Sequence, residues 1–259
     1  MQFLEVTVDG HIGTICLDHF EKRNALSLAV ADAIMEALDR FAAEKVRAVV
    51  LRARPGVKIW SAGHDVDELP LGRRDPLGWH DPLRKLIRGI ENHTAPVIAM
   101  IEGSVWGGAC ELAMSCDIIV AAPNATFALT PAKLGVPYNV SGMLTFLNSA
   151  SLRLIKEMAF TARPVPAERA LAAGLVNHIS AREELESFTY AMAADIVENA
   201  PLSIAVMKEE LRILAGAHPM SPQGFERVQG LRRVVYDSAD YVEGIAAFKE
   251  KRKPVYRGE

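Results

Sequence analysis

The chain has 259 residues, with 29 Lys and Arg against 32 Asp and Glu, a formal net charge of −3, and hydrophobic residues at 50% of positions. That balance excludes disordered, collagen-like and fibrous classes, and a length near the point at which single cores stop growing, about 250 to 300 residues, implies one large domain or a core with a smaller module. The slightly acidic total gives the bulk surface no means of gripping a polyanion, so nucleic acid is not an expected partner, although a few local cations suffice for one phosphate-bearing ligand.

Residues 3–8 and 11–17 are apolar-rich runs joined by Asp9-Gly10, which predicts a hairpin with a tight turn. Ser27 is placed to cap a helix whose apolar positions Leu28, Ala31, Ile34, Met35, Leu38, Phe41 and Ala42 recur at three- and four-residue steps, and 48–51 reads as a buried strand. Residues 58–61 read as extended. Asp81-Pro82 is a cap with proline at the first helical position, followed by the stripe Leu83, Leu86, Ile87 and Ile90. Residues 96–101 form the next strand. It runs through Glu102-Gly-Ser-Val-Trp-Gly-Gly108 into a short helix with Leu112, Ala113 and Cys116 inward, and then into a strand at 118–121. Such alternation indicates an α/β core around a buried sheet.

Beyond about residue 151 only helices are predicted, at 152–161, 166–173 (closed by Gly174), 183–200, 202–215, 222–236 and 241–250. Apolar positions Ile204, Met207, Leu211 and Leu214 in the tail suit packing against a symmetric neighbour. The expected division is a core over 1–198 and a helical oligomerisation segment over 199–259.

Cys16, Cys110 and Cys116 have neither a disulfide framework's number nor a zinc site's CxxC spacing, so no metal is expected and a reducing compartment suits them. The start MQFLEVTVDG has no basic residue before an apolar run, unlike a secretory signal, and a cytoplasmic protein is expected. Residues 96–122 are interrupted by Glu102, Glu111 and Asp117, whereas a spanning helix needs about 20 nearly uncharged residues, so no membrane association is expected.

Two glycine-bearing turns follow strands, Ser61-Ala-Gly-His-Asp65 and Gly103-Ser-Val-Trp-Gly-Gly-Ala-Cys-Glu111, and neither has phosphate-loop spacing. Each leaves backbone N–H groups exposed at a strand end, and the second opens a helix, whose first N–H groups lack intrahelical partners and sit at the positive end of the dipole. Either alone is an ordinary tight turn. Together they offer two donors for one oxyanion.

These turns resemble the two oxyanion-hole segments of the crotonase family, the enoyl-CoA hydratase/isomerase superfamily, and Asn24-Ala-Leu-Ser27 and Ala170-Leu-Ala-Ala-Gly-Leu-Val176 are similar to further family landmarks in the right order. The resemblance covers essentially the whole chain. It implies an α/β fold, a spiral of ββα units with a C-terminal helical trimerisation segment, assembled as a homotrimer or dimer of trimers. It also implies an acyl-CoA substrate whose thioester oxygen meets the N–H groups of His64 and Gly108. On the same match Ala62, Gly63, His64, Asp65 and Val66 lie along the adenine and pantetheine, and Lys22 and Lys251 are candidates for contacts to the CoA phosphates or adenine.

Hydration in this family takes two glutamates, because adding water is general acid/base chemistry. The first matches Glu111; the place of the second is Pro131, in Phe127-Ala-Leu-Thr-Pro-Ala-Lys-Leu-Gly135. Without a partner, Glu111 reads as a structural carboxylate neutralised by Arg84 or Arg88. The next segment departs from the family's Pro-Gly-x-Gly-Gly element and reads Val136-Pro-Tyr-Asn-Val-Ser-Gly142, bringing Tyr138 near Thr130. Two hydroxyls and no second carboxylate suit a substrate that carries its own negative charge.

Gly63-His-Asp-Val-Asp-Glu-Leu-Pro70, Gly72-Arg-Arg-Asp-Pro-Leu77, Leu134-Gly-Val-Pro-Tyr-Asn139, Val235-Tyr-Asp-Ser-Ala-Asp-Tyr241 and Glu250-Lys-Arg-Lys-Pro254 resemble the decarboxylating branch of the family. That resemblance implies conversion of methylmalonyl-CoA to propionyl-CoA through an enolate, with no cofactor, coenzyme A being part of the substrate. His64, Gly108, Thr130 and Tyr138 are the expected catalytic residues. The first two act through backbone N–H groups; Thr130 and Tyr138 hold the carboxylate. The alternatives are a hydratase or isomerase using Glu111 alone, and a non-catalytic RNA-binding or scaffold member of the fold.

Overall fold

The computed structural model describes the chain except for Met1, Gln2, Leu71, Arg73 and His218, so Arg73 of the second decarboxylase-like motif and the first two residues of the N-terminal run lie outside the described residues. Strands β1 (Leu4–Asp9) and β2 (Ile12–Leu17) pair antiparallel. Gly10 and His11 form the loop, one residue on from the turn expected at Asp9-Gly10, and Gly10 carries the positive φ of 56°. Helix α1 (Leu28–Ala43) starts where Ser27 accepts a hydrogen bond from the Val30 N–H at 3.3 Å.

The chain then repeats one unit. Strand β3 (Ala48–Ala53) is followed by β4 (Ile59–Ser61) and α2 (Pro82–Asn92), β5 (Val97–Ile101) by β6 (Ser104–Trp106) and α3 (Gly108–Ser115), and β7 (Ile118–Ala121) by β8 (Thr126–Ala128) and α4 (Val140–Ser149). The first strand of each unit joins a six-stranded sheet of order β1-β2-β3-β5-β7-β10, and the second joins a four-stranded sheet of order β4-β6-β8-β9. Each turn of the spiral therefore adds one parallel strand to each sheet and one helix. Helix α5 (Leu152–Thr161), β9 (Val165–Pro166), α6 (Ala167–Ala172) and β10 (His178–Ile179) close the two sheets.

β3 is buried along its whole length because both its faces are covered, as parallel strands require. Val49 and Leu51 face the main core with α1, α2 and α3, while Ala48 and Val50 face a second cluster completed by Leu185 and Ala193 of α7 (Leu185–Glu198). Three helices follow: α8 (Pro201–Ala215), which buries no residue, α9 (Pro222–Tyr236), and α10 (Ala239–Lys249), which buries Tyr241, Gly244, Ile245 and Ala247. The last two turn back on the chain. Tyr236, Tyr241 and Ile245 cluster with Leu69, Leu77 and Val136, and the Tyr241 hydroxyl donates to the Pro70 carbonyl at 2.7 Å.

One reading is corrected here. Residues after 151 include two short strands, each only two residues long, below the length at which period-2 alternation is visible. The segment at 140–149 is a helix, capped by Asn139 accepting from the Gly142 N–H at 2.6 Å. Strands β6 and β8, three residues each, were hidden for the same reason of length. Among the described residues no helix is long and apolar enough to cross a membrane.

Candidate active site

A cavity of about 460 Å³ opens between the two glycine turns, the segment at 130–138 and the end of α10. Its walls are mainly apolar, with Ile59, Val66, Leu69, Leu77, Leu83 and Val136 among them, and its polar side chains include Thr130 and Tyr138.

The floor is backbone. Leu26 forms a parallel bridge with the first turn: its N–H donates to the Gly63 carbonyl at 2.7 Å and its carbonyl accepts from the Asp65 N–H at 3.3 Å, so the His64 N–H between them points away from that ladder. Gly107 donates its own N–H to the Ala128 carbonyl at 2.8 Å and, with φ 52° and ψ −118°, turns the chain so that Gly108 becomes the first residue of α3. The Gly108 N–H is one of the orphan donors of a helix start. No described residue accepts from the N–H of either His64 or Gly108.

The two groups are close because both turns are stripped of side chains. A Cβ on Gly108 would lie 3.2 Å from the His64 nitrogen, and a Cβ on Gly63, where φ is 85°, would lie 2.9 Å from the Gly108 nitrogen. Glycine at 63 is thus required by conformation and by space. Thr130 stands beside them, its Oγ1 2.8 Å from where a Gly107 Cβ would be, and its hydroxyl has no partner among the described residues.

Glu111 lies one turn along α3 and is fully buried. Arg84 of α2 donates to its Oε1, and the Tyr138 hydroxyl donates to its Oε2 at 2.5 Å. Burial pushes the Glu111 carboxyl above its usual range, against the pull of Arg84 and Tyr138; burial, with the Glu111 charge, raises the Tyr138 phenol well above its ordinary value. Arg88 does not take part. Its guanidinium lies 4.0 Å over the Trp79 ring.

The residue match to the enoyl-CoA hydratase/isomerase family model runs from 7 to 259. The chain belongs to the enoyl-CoA hydratase/isomerase family. Within it, methylmalonyl-CoA decarboxylase of Escherichia coli (strain K12) is 50% identical over 257 residues, 99% of this chain and 98% of that one. A solved structure of methylmalonyl-CoA decarboxylase in complex with 2-nitronate-propionyl-CoA superposes with a TM-score of 0.98 at 50% identity, covering 100% of this chain and 99% of the other. A second, complexed with 2S-carboxypropyl CoA, gives the same TM-score, identity and coverage.

Of the family-derived positions, Ala62, His64, Val66, Gly108, Thr130 and Tyr138 line the cavity. Gly63 and Asp65 sit in the same turn behind it. The Asp65 carboxylate, held below its usual range by Lys22 despite partial burial, accepts from Lys22 Nζ at 2.8 Å and from the Asp67 N–H at 3.1 Å. Lys22 is therefore tied to the turn, and neither it nor Lys251 is among the lining residues. The cations that do line the cavity are Arg23, Lys133 and Arg252. Arg23 and Arg252 are the immediate neighbours of the expected Lys22 and Lys251, and Arg23 and Lys251 carry φ values of 55° and 54°. Arg252 also pairs with Glu243 at 2.6 Å.

Cys110 is buried, and its thiol is pushed up to about 12 by burial, which removes it as a nucleophile. Among the described residues no group of three or more His, Cys, Asp and Glu side chains is arranged to hold a metal ion.

Proposed function

We propose that the chain decarboxylates methylmalonyl-CoA to propionyl-CoA and CO2. The observation that carries this reading is a cavity with two unpaired backbone donors on its floor and no free carboxylate on its walls: Pro131 stands where a second glutamate would, and Glu111 is consumed by Arg84 and Tyr138. The 50% identity to a methylmalonyl-CoA decarboxylase supports the same choice.

The N–H groups of His64 and Gly108 take the thioester oxygen. As the bond between the α-carbon and the carboxylate breaks, its electron pair passes into the thioester and becomes the enolate, so the oxygen gains charge as CO2 leaves; a proton from water or a pocket hydroxyl then reaches the α-carbon and gives propionyl-CoA. Donors placed for that oxygen gain strength in the transition state, and losing one typically costs about 100-fold or more. Overlap requires the breaking bond to stand perpendicular to the thioester plane. The Thr130 hydroxyl, with a free proton beside Gly107, supplies a donor to the carboxylate. Tyr138 turns its single proton to Glu111 and so shapes the wall. The apolar side chains around it keep water from the carboxylate and favour its loss. Nothing in these steps calls for a cofactor.

Arg23, Lys133 and Arg252 at the cavity supply the positive charge for the CoA phosphates. Leu202, Leu211 and Leu214 are exposed on α8, which buries nothing within the chain; covering them with copies of itself gives a homotrimer or a dimer of trimers, with 199–259 as the oligomerisation segment. Three free, buried cysteines suit the cytoplasm.

Incubating the purified protein in parallel with methylmalonyl-CoA and crotonyl-CoA tests the reading. CO2 and propionyl-CoA from the first, with no hydration of the second, is expected; hydration of crotonyl-CoA without CO2 from methylmalonyl-CoA overturns it.

A further inference from the structure

We propose that the His64 side chain, clamped as an imidazolium between the Asp81 carboxylate and the Asp65 carbonyl, is a positioning group that holds the His64 backbone N–H in place for the thioester oxygen. The inference rests on the decarboxylase reading, which uses only the backbone of this residue.

The ring is nearly buried, at 10% exposure, and both of its nitrogens face acceptors: Nε2 is 2.8 Å from Asp81 Oδ2, and Nδ1 is 3.0 Å from the Asp65 carbonyl. A neutral imidazole has one N–H and would leave the other nitrogen's lone pair against an oxygen. Only the doubly protonated ring satisfies both contacts. Burial by itself lowers the affinity of this ring for its second proton, but the hydrogen bond and charge of Asp81 with the carbonyl of Asp65 reverse the effect and raise it above the ordinary histidine value.

Asp81 is anchored independently of His64. Its Oδ1 caps α2, accepting from the N–H groups of Leu83 and Arg84 at 3.0 and 3.3 Å. The clamp therefore fastens the Ser61–Asp65 turn to the start of α2. The same turn of α2 carries Leu83, whose side chain packs against Gly108, and Arg84, which holds Glu111 of α3. Both donors are thus referred to one frame, and the His64 ring is the strut between them.

The other groups facing the ring are few. Asp65 has its carboxylate occupied by Lys22; Glu68, from the turn at 66–68, accepts from the Leu28 N–H at 2.7 Å and adds a distant negative charge; and α3 presents its N-terminus at Gly108. Among the described residues Asp81 is the one carboxylate in contact with the ring. Losing the second proton breaks one of the two contacts, so turnover should fall as pH rises through the raised value for His64, while the ring stays charged and the clamp intact below it.

The test uses the full chain, wild type and Asp81→Asn, with ¹⁵N-labelled histidine and CO2 release from methylmalonyl-CoA followed over about pH 5.5 to 9. Asparagine keeps an oxygen for the α2 cap and turns an NH2 towards Nε2, which forces a neutral ring. The wild type is expected to show His64 titrating above the ordinary value of about 6.5 and a basic limb in kcat at the same pH. Asp81→Asn is expected to lower that titration, to remove the basic limb, and to cut kcat about tenfold at neutral pH with little change in KM, because a neutral amide–imidazole hydrogen bond holds the ring more weakly than the ion pair. A loss of folded protein alone would lower the amount of activity and leave the limb where it was. A wild-type His64 that titrates at or below the ordinary value, or a limb unmoved in Asp81→Asn, overturns the proposal. A wild type that releases no CO2 overturns the reading of the reaction instead.

Discussion

Arg84 and Glu111 form a charge pair with almost no access to water: the Glu111 side chain is at 0% exposure and that of Arg84 at 7%. Replacing Arg84 by methionine keeps the volume and strands a carboxylate in the core. Breaking a buried pair by removing one partner costs about 3 to 5 kcal/mol, which for a chain of this size lowers the melting temperature by roughly 6 to 20 °C. No discount for solvent screening applies at this burial. The pH dependence has a definite sign. Burial already raises the Glu111 carboxyl, and without Arg84 it rises further, so the folded state holds a proton that the unfolded chain releases. Stability of the variant then falls as pH climbs from the unfolded carboxyl value of about 4.5 towards the folded one, and its deficit against wild type is smallest in acid. Arg84→Met with Glu111→Gln removes both charges and leaves an amide oxygen for the Tyr138 hydroxyl, so the double variant should regain all but about 1 kcal/mol. Thermal melts at pH 5 and pH 8 read all of this. A single variant within 1 kcal/mol of wild type, or a deficit independent of pH, would refute the argument that this pair is a sealed structural unit.

Gly108→Pro deletes one N–H, and its ring has to push aside the Leu83 side chain, 2.5 Å from the new Cβ; in the protein that folds, CO2 release should drop about 100-fold or more, and normal turnover by the folded variant contradicts the donor assignment. Tyr138→Phe removes a proton that is directed at Glu111, and a loss of about tenfold or less in kcat is expected, whereas complete loss would make the phenol a proton donor to the enolate. Leu211→Asp on the exposed face of α8 should shift the protein to monomers in sedimentation, and an unchanged mass would place the interface elsewhere.

The strand and helix order to residue 121 was legible because each long element carries its own signal. Ser27 and Asp81 cap helices as their side chains suggest, and the apolar steps of α1 and α2 point inward except at Leu28 and Ala42, at the two ends of α1, which are exposed. Of the smaller sheet, β4 was legible as an extended stretch, whereas β6, β8 and β9 had no such signal, since pairing partners far along the chain define them. At the site, the two turns could be read from glycine and their order. The Arg84 contact to Glu111 followed from one helix face, while Arg88, four residues further, was drawn off by Trp79, which no spacing rule connects to it. The clamp between His64 and Asp81 spans 17 residues and two elements, and only the folded chain joins them. That Arg23 and Arg252, neighbours of Lys22 and Lys251, line the cavity was not legible for a local reason. Each basic run contains a left-handed residue, and neither Arg23 nor Lys251 is a glycine that would announce it.

The central claim is that the N–H groups of His64 and Gly108 hold the thioester oxygen while the carboxylate lies among apolar walls beside Thr130. A crystal structure of the protein with a stable carboxylate-bearing CoA thioester analogue measures this directly. The oxygen should lie about 2.7 to 3.1 Å from both nitrogens, with the carboxylate out of the thioester plane. An oxygen bound to neither N–H, or a carboxylate directed out to solvent, would contradict the account.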